Sequence, residues 1–166
     1  MHMPPAPNRE HQDLEDALET DLRQRWAHTC DATVYLQINV ALPGGWSNNY
    51  RIPDVVMLLP SRFHIDRNEY FEGGSNVVVE SHSPGDESYD KLGFYAIVDV
   101  PEVWIIDQDS KKPEIYVLDA EQYVRQEAGP NGWILSGETG IQCCQSATGK
   151  LALRLQADES TYEELP

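Results

Sequence analysis

Three short apolar runs, each bounded by acid, constrain this chain more than any other feature. Asp54-Val55-Val56-Met57-Leu58-Leu59 opens on a carboxylate, Val77-Val78-Val79-Glu80 ends on one, and Glu102-Val103-Trp104-Ile105-Ile106-Asp107 carries one at each end. Apolar runs of three to five residues, rich in β-branched side chains, are too short for buried helices. They read as strands covered on both faces of a sheet. The expected strands span 51–59, 76–82 and 103–107. A carboxylate on such a strand is costly unless it is paired or metal-bound, so the same runs that predict the sheet also mark a candidate site.

Between the runs, the chain reads as helix, strands, helix and more strands. Residues 1–8 hold three prolines and read as a mobile arm. Leu14, Leu18 and Leu22 recur every four residues and Trp26 continues the row, predicting an amphipathic helix over 9–28. Residues 33–42 read as a strand, and Pro43-Gly44-Gly45 punctuates a loop. Ser83-Pro84-Gly85-Asp86 reads as a turn into a helix over 87–98. Later strands are expected near 114–118, 121–126, 133–136 and 151–155, and residues 157–166 as an acidic, frayed tail. With 166 residues, 9–156 form one domain large enough for a core. Its fold class is α/β or α+β.

Charge sets the terms for any partner. The formal net charge is −16, and the twelve basic residues are scattered, with only Lys111 and Lys112 adjacent. Proteins that grip nucleic acid through electrostatics alone show basic clusters, so any contact with DNA is expected to be weak and local. No apolar run reaches membrane-spanning length, and Met1 to Arg9 holds no apolar signal core. That favours the cytoplasm. Cys30 is isolated, neighbouring Cys143 and Cys144 make a poor disulfide framework, and no C-x-x-C pair suggests zinc.

Asp54 and Glu80 sit at strand ends, where neighbouring strands would bring them to one cleft edge. The alternatives are a turn cap for Asp54 and a solvent-facing strand end for Glu80. Alternation places His82 on the face of Glu80, with Ser81 opposite. His82 reads as a site-lining or hydrogen-bonded residue, and Ser83 as a helix cap. Lys91 and Tyr95, four apart on the expected helix, share a face. Lys91 either points at the carboxylates or lies solvated, and Tyr95 reads as core, with lining of the same site as its alternative. Glu102 or Asp107 can add an acid to the cleft. Two carboxylates with a lysine behind them are what a magnesium-dependent phosphodiesterase needs, because hard cations prefer oxygen ligands and an ammonium stabilises charge on phosphate. No Gly-rich phosphate loop, G-x-S-x-G elbow or H-E-x-x-H is present.

Pro53-Asp54, then Val-Val-Val-Glu80-x-x-Ser83-Pro84-Gly85-Asp86, then Lys91-Leu-x-x-Tyr95-Ala, then Val100-Pro101-Glu102-x-Trp104-Ile-Ile-Asp107 resembles the Uma2 family over roughly residues 10 to 125. The resemblance implies a PD-(D/E)xK nuclease fold: a restriction-endonuclease-like mixed central sheet flanked by helices, with a divalent-metal site. It matches Asp54 to the motif aspartate, Glu80 to the second acid and Lys91 to a lysine on the following helix. His82 stands where the superfamily usually has its lysine, and Asp99 where the family usually has glycine. The superfamily often uses a glutamate of its first helix, for which Glu15 and Glu19 are both candidates.

The resulting expectation is an endonuclease dependent on Mg²⁺ or Mn²⁺, with DNA as substrate. Asp54 and Glu80 hold the ion, Lys91 steadies the phosphate or the attacking water, and a carbonyl near Ser81 completes the coordination. The competing expectation is a binding or assembly module that kept the fold and lost the chemistry. An exposed sheet edge suggests a homodimer.

Overall fold

The computed structural model describes residues 9–166, so the arm expected over residues 1–8 lies outside the described residues. In chain order the helices are α1 (Arg9–Asp21) and α2 (Leu92–Ile97). The first strands are β1 (Thr33–Leu36), β2 (Val40–Ala41), β3 (Tyr50–Arg51), β4 (Val55–Leu58), β5 (Phe71–Glu72) and β6 (Val77–His82). They are followed by β7 (Glu102–Asp107), β8 (Pro113–Asp119), β9 (Gln122–Arg125), β10 (Ile134–Leu135), β11 (Ile141–Gln145), β12 (Leu151–Leu155) and β13 (Asp158–Leu165).

The three apolar runs lie side by side as expected. They form the centre of a six-stranded sheet ordered β1-β4-β6-β7-β8-β9. The sheet is mixed: β6 and β7 are parallel, joined by a crossover through α2, and the other neighbours are antiparallel. Side chains alternate across it. Val55, Met57, Val77 and Val79 face Leu14 and Leu18 of α1 and Leu22 and Trp26 of the turn that continues it, together with Ile141, Cys143, Leu151 and Leu153 of a second sheet, β10-β11-β12-β13. Val56, Leu58, Val78 and Val103 face Phe94 and Tyr95 of α2, with Val40 and Phe71 of a small third sheet, β3-β2-β5. Both faces of the central strands are therefore dry, which is why they read as continuous apolar runs.

Several elements differ from the sequence expectation. The first helix leaves α geometry after Asp21 through a π turn, Leu22–Trp26, and a 3₁₀ turn, Ala27–Thr29. A row spaced by four drifts around an α-helix; the wider π turn offsets that drift and keeps Trp26 on the core side. The strand expected over 33–42 breaks into β1 and β2 at Gln37, whose φ is +52°. Residues 51–59 divide between two sheets, with Arg51 on β3 and Val55 onward on β4. The second helix is confined to 92–97. Ahead of it, Asp86 accepts the backbone N–H groups of Ser83 and Ser88 at 2.7 and 2.9 Å, a local bonding pattern that competes with helix. Ser83 therefore belongs to this turn, its hydroxyl also directed at Asp86.

The second sheet was only partly legible. β11 carries no run long enough to stand out, yet Ile141 and Cys143 are buried. Residues 158–165, expected to fray, form β13 against β12, and Leu165 enters the core. One acid of this strand, Glu163, is met by residues far away in sequence. Trp26 Nε1 donates to Glu163 at 2.9 Å and to Asp21 at 2.7 Å, and Arg25 is ion-paired with Glu163. Among the described residues, no helix is long and apolar enough to cross a membrane.

Candidate active site

Asp54 lies just before β4 and Glu80 lies inside β6. The antiparallel register Val55↔Val79 brings the two acids level at the same end of neighbouring strands. Glu80 has no solvent exposure. Its burial is met by two donors from the start of α2: the Tyr95 hydroxyl at 2.5 Å from Oε1, and Lys91 Nζ at 3.3 and 3.4 Å from the two carboxylate oxygens. Lys91 is the cap residue of α2 and its carbonyl accepts the Tyr95 N–H. The four-residue spacing therefore puts both side chains on Glu80. Tyr95 is fully buried, as a core residue should be, but its hydroxyl also serves the site.

Asp54 is fixed from the opposite side of β6. Its Oδ2 accepts the backbone N–H of Ser81 at 2.8 Å and the Ser81 hydroxyl at 3.3 Å. The structure separates the two helix-one candidates. Glu15 is buried and shares a hydrogen bond with Asp54. Glu19 is ion-paired with Arg23 at 2.5 Å, one turn further along. His82 is turned to Asp86, with Nδ1 2.7 Å from Oδ1, and packs edge-on to Tyr89 at 4.8 Å. It supports the turn leading to Lys91. Glu102 accepts from Trp104 Nε1 at 2.6 Å and from the Glu138 N–H at 3.3 Å. It ties β7 to the second sheet at the strand end remote from Glu80. Asp107 caps its own turn through the N–H groups of Asp109 and Ser110. Neither acid flanking β7 bonds to this cluster.

Glu15, Asp54 and Glu80 form a carboxylate cluster whose charges oppose one another. Burial first, and then Asp54, push Glu15 up to about 9. Burial, and then the charge of Asp54, push Glu80 up to about 8, against the opposing pull of Lys91 and Tyr95. Such a cluster holds either protons or a cation. Among the described residues no three acid, histidine or cysteine side chains are grouped so that they could hold a metal ion. Mg²⁺ does not require such a group, because it takes one or two carboxylates and keeps several waters. The all-oxygen donor set and the mutual opposition of the three carboxyls fit a hard divalent ion. A cavity of about 400 Å³ lined by Gln12, Asp13, Glu15, Asp16, Leu36 and Gln37 opens beside Glu15.

Tyr95, legible in the sequence both as core and as a candidate site-lining residue, is both: its ring is buried and its hydroxyl is bonded to Glu80. Arg51 lies three residues before Asp54, and only its surroundings distinguish it from a surface arginine.

A family model for Uma2, described as "Putative restriction endonuclease", matches residues 1–153. No curated protein matches the sequence. Among solved structures, the fold is similar to that of a protein from Anabaena variabilis ATCC 29413, described as "a putative nuclease belonging to DUF820". The two share 15% identity with a TM-score of 0.59, over 81% of this chain and 76% of the other.

Proposed function

We propose a nuclease activity for this chain, which belongs to the Uma2 family, and assign it to the cluster of Asp54, Glu80, Glu15 and Lys91. The reading is hydrolysis of phosphodiester bonds in DNA, dependent on Mg²⁺ or Mn²⁺. One observation carries it: a fully buried glutamate is held between a lysine and a tyrosine and faces two more carboxylates. A structural ion pair needs one acid and one base. Three acids gathered around one lysine leave a surplus of negative charge that a divalent ion would offset.

Asp54 and Glu80 would hold the ion, with Glu15 lining the site beside Asp54. When bound, such an ion polarises a phosphoryl oxygen and eases deprotonation of a water. Ser81 fixes one oxygen of Asp54. Tyr95 fixes the orientation of Glu80. Lys91 stays beside Glu80 and offers an ammonium to charge that grows on the phosphate only in the transition state. The cysteines are free thiols, which suits the cytoplasm. The open β9 edge, with Val124 55% exposed, suits pairing with a second copy.

Calorimetric titration with Mn²⁺ tests the site. Binding should be present in the native chain and largely lost in Asp54→Ala and in Glu80→Ala. Unchanged binding in both would move the site elsewhere. A second reading, a nuclease fold that binds without cutting, draws on the acidic mouth at Asp13 and Asp16, which repels a phosphate backbone. It predicts metal binding without cleavage.

A further inference from the structure

We infer that Arg51 is the phosphate-binding residue of this site, the contact that holds the DNA backbone beside the carboxylate cluster; the inference rests on the nuclease reading above. Acids outnumber bases in this chain by 28 to 12, so nearly every arginine finds a carboxylate. Arg9, Arg23, Arg25, Arg62, Arg67, Arg125 and Arg154 each lie within 4.0 Å of one. Among the described residues, Arg51 alone of the arginines does not. Its guanidinium instead lies over the Phe94 ring, 4.7 Å from the centroid, and donates to the Tyr50 carbonyl at 2.9 Å and the Asn49 side chain at 3.4 Å.

Position gives this exception its meaning. Arg51 is on β3, held to β2 by the pair Val40↔Arg51. Three residues later the chain reaches Asp54, a span of at most about 11 Å between Cα atoms. Lys91 Nζ lies 3.5 Å from the carbonyl of Ile52, the residue after Arg51. Phe94 adjoins Tyr95, which holds Glu80. The aromatic face and the hydroxyl that holds Glu80 thus come from consecutive residues of α2. The residue is exposed, and its bonds to Tyr50 and Asn49 use the same terminal nitrogen, Nη1. The rest of the planar fork is available to two phosphate oxygens. Stacking on Phe94 restrains the side chain before substrate arrives, which lowers the ordering cost of binding. In a chain of charge −16, a preorganised cation not paired with an acid is a local means of holding a phosphate where the global field opposes it.

The test is binding of fluorescein-labelled single- and double-stranded oligonucleotides in Ca²⁺, followed by anisotropy, with cleavage measured separately in Mg²⁺ or Mn²⁺. Arg51→Ala should weaken DNA binding at least tenfold and lower the slope of log K against log salt by about one. The loss should appear in KM more than in kcat, while Mn²⁺ affinity and melting temperature stay at native values. Arg51→Lys should restore part of the affinity, and Phe94→Leu should produce a smaller loss in the same direction. Native affinity and salt slope in Arg51→Ala, with the native chain binding DNA, would overturn the inference and leave the nuclease reading standing. Failure of the native chain to bind or cut either oligonucleotide would overturn both. Cleavage lost together with Mn²⁺ affinity in Arg51→Ala would make the residue structural and also overturn the inference.

Discussion

The Tyr95 hydroxyl lies 2.5 Å from Glu80 Oε1, inside a pocket where neither residue meets solvent. A donor to a carboxylate favours its ionised form, so this bond offsets part of the burial that pushes Glu80 up. Tyr95→Phe keeps the ring and removes the donor. Glu80 should then hold its proton to higher pH, and Mn²⁺ affinity at pH 7 should fall about tenfold while the melting temperature changes little. Titration calorimetry at pH 7 and pH 9 checks this, with the difference expected to shrink at pH 9. Equal affinity at both pH values would assign Tyr95 to packing alone.

Metal binding should release protons. Without an ion, Glu15 and Glu80 titrate near 9 and 8, so a cation at pH 7 must displace what they hold. Affinity should climb with pH, by up to about tenfold per unit for each proton released, and level off above about 9. The ion-free fold should behave oppositely. Both acids are raised above their ordinary value of 4.5, so the unfolded chain ionises first. Stability then declines as pH rises from about 4.5 towards 8 to 9. Melting curves across that range, with and without Mn²⁺, should diverge.

A second pH-dependent contact sits away from the site. Asp21 is pushed up to about 7, by burial first and then by its hydrogen bond with Glu163, against the opposing bond from Trp26. Its ordinary value is 3.8. The folded state therefore holds a proton that the unfolded chain has lost, and stability falls between about pH 4 and 7 as that proton leaves. Asp21→Asn keeps an acceptor for Trp26 and removes the titration. Its melting temperature should fall less steeply with pH over that interval than that of the native chain.

The last strand should contribute stability. Leu165 is 5% exposed and packs with Leu151 and Leu153 in the core shared with α1. Leu165→Ala should cost about 2–3 kcal/mol in chemical denaturation, whereas a frayed tail would register nothing.

Why that strand was hidden in the sequence, while the centre of the fold was not, follows from where each element finds its partners. β4, β6 and β7 announce themselves because both faces are dry, and periodicity needs no knowledge of neighbours. Asp54 and Glu80 stood out as acids on those strands, and Lys91 followed from its position behind them. β13 carries one deeply buried residue among acids, and one of those acids, Glu163, is accommodated by Arg25 and Trp26, more than 130 residues away in sequence. No local pattern encodes such a contact. The choice between Glu15 and Glu19 was closed for the same reason: each lies on the buried side of α1, and only packing reveals that one meets Asp54 and the other Arg23. Arg51 stands apart only as the exception to an ion-pairing pattern that exists in the folded chain and has no local sequence signature.

The most direct test of the central claim is cleavage of supercoiled plasmid by the native chain, Glu80→Ala and Lys91→Ala in Mg²⁺ or Mn²⁺. The site predicts metal-dependent nicking by the native chain, abolished by Glu80→Ala and by chelation. Lys91→Ala should reduce the rate by about 10²–10³, the cost of removing one transition-state donor. Native-rate cleavage by Lys91→Ala or Glu80→Ala, or no cleavage of any DNA form by the native chain with either ion, would contradict it.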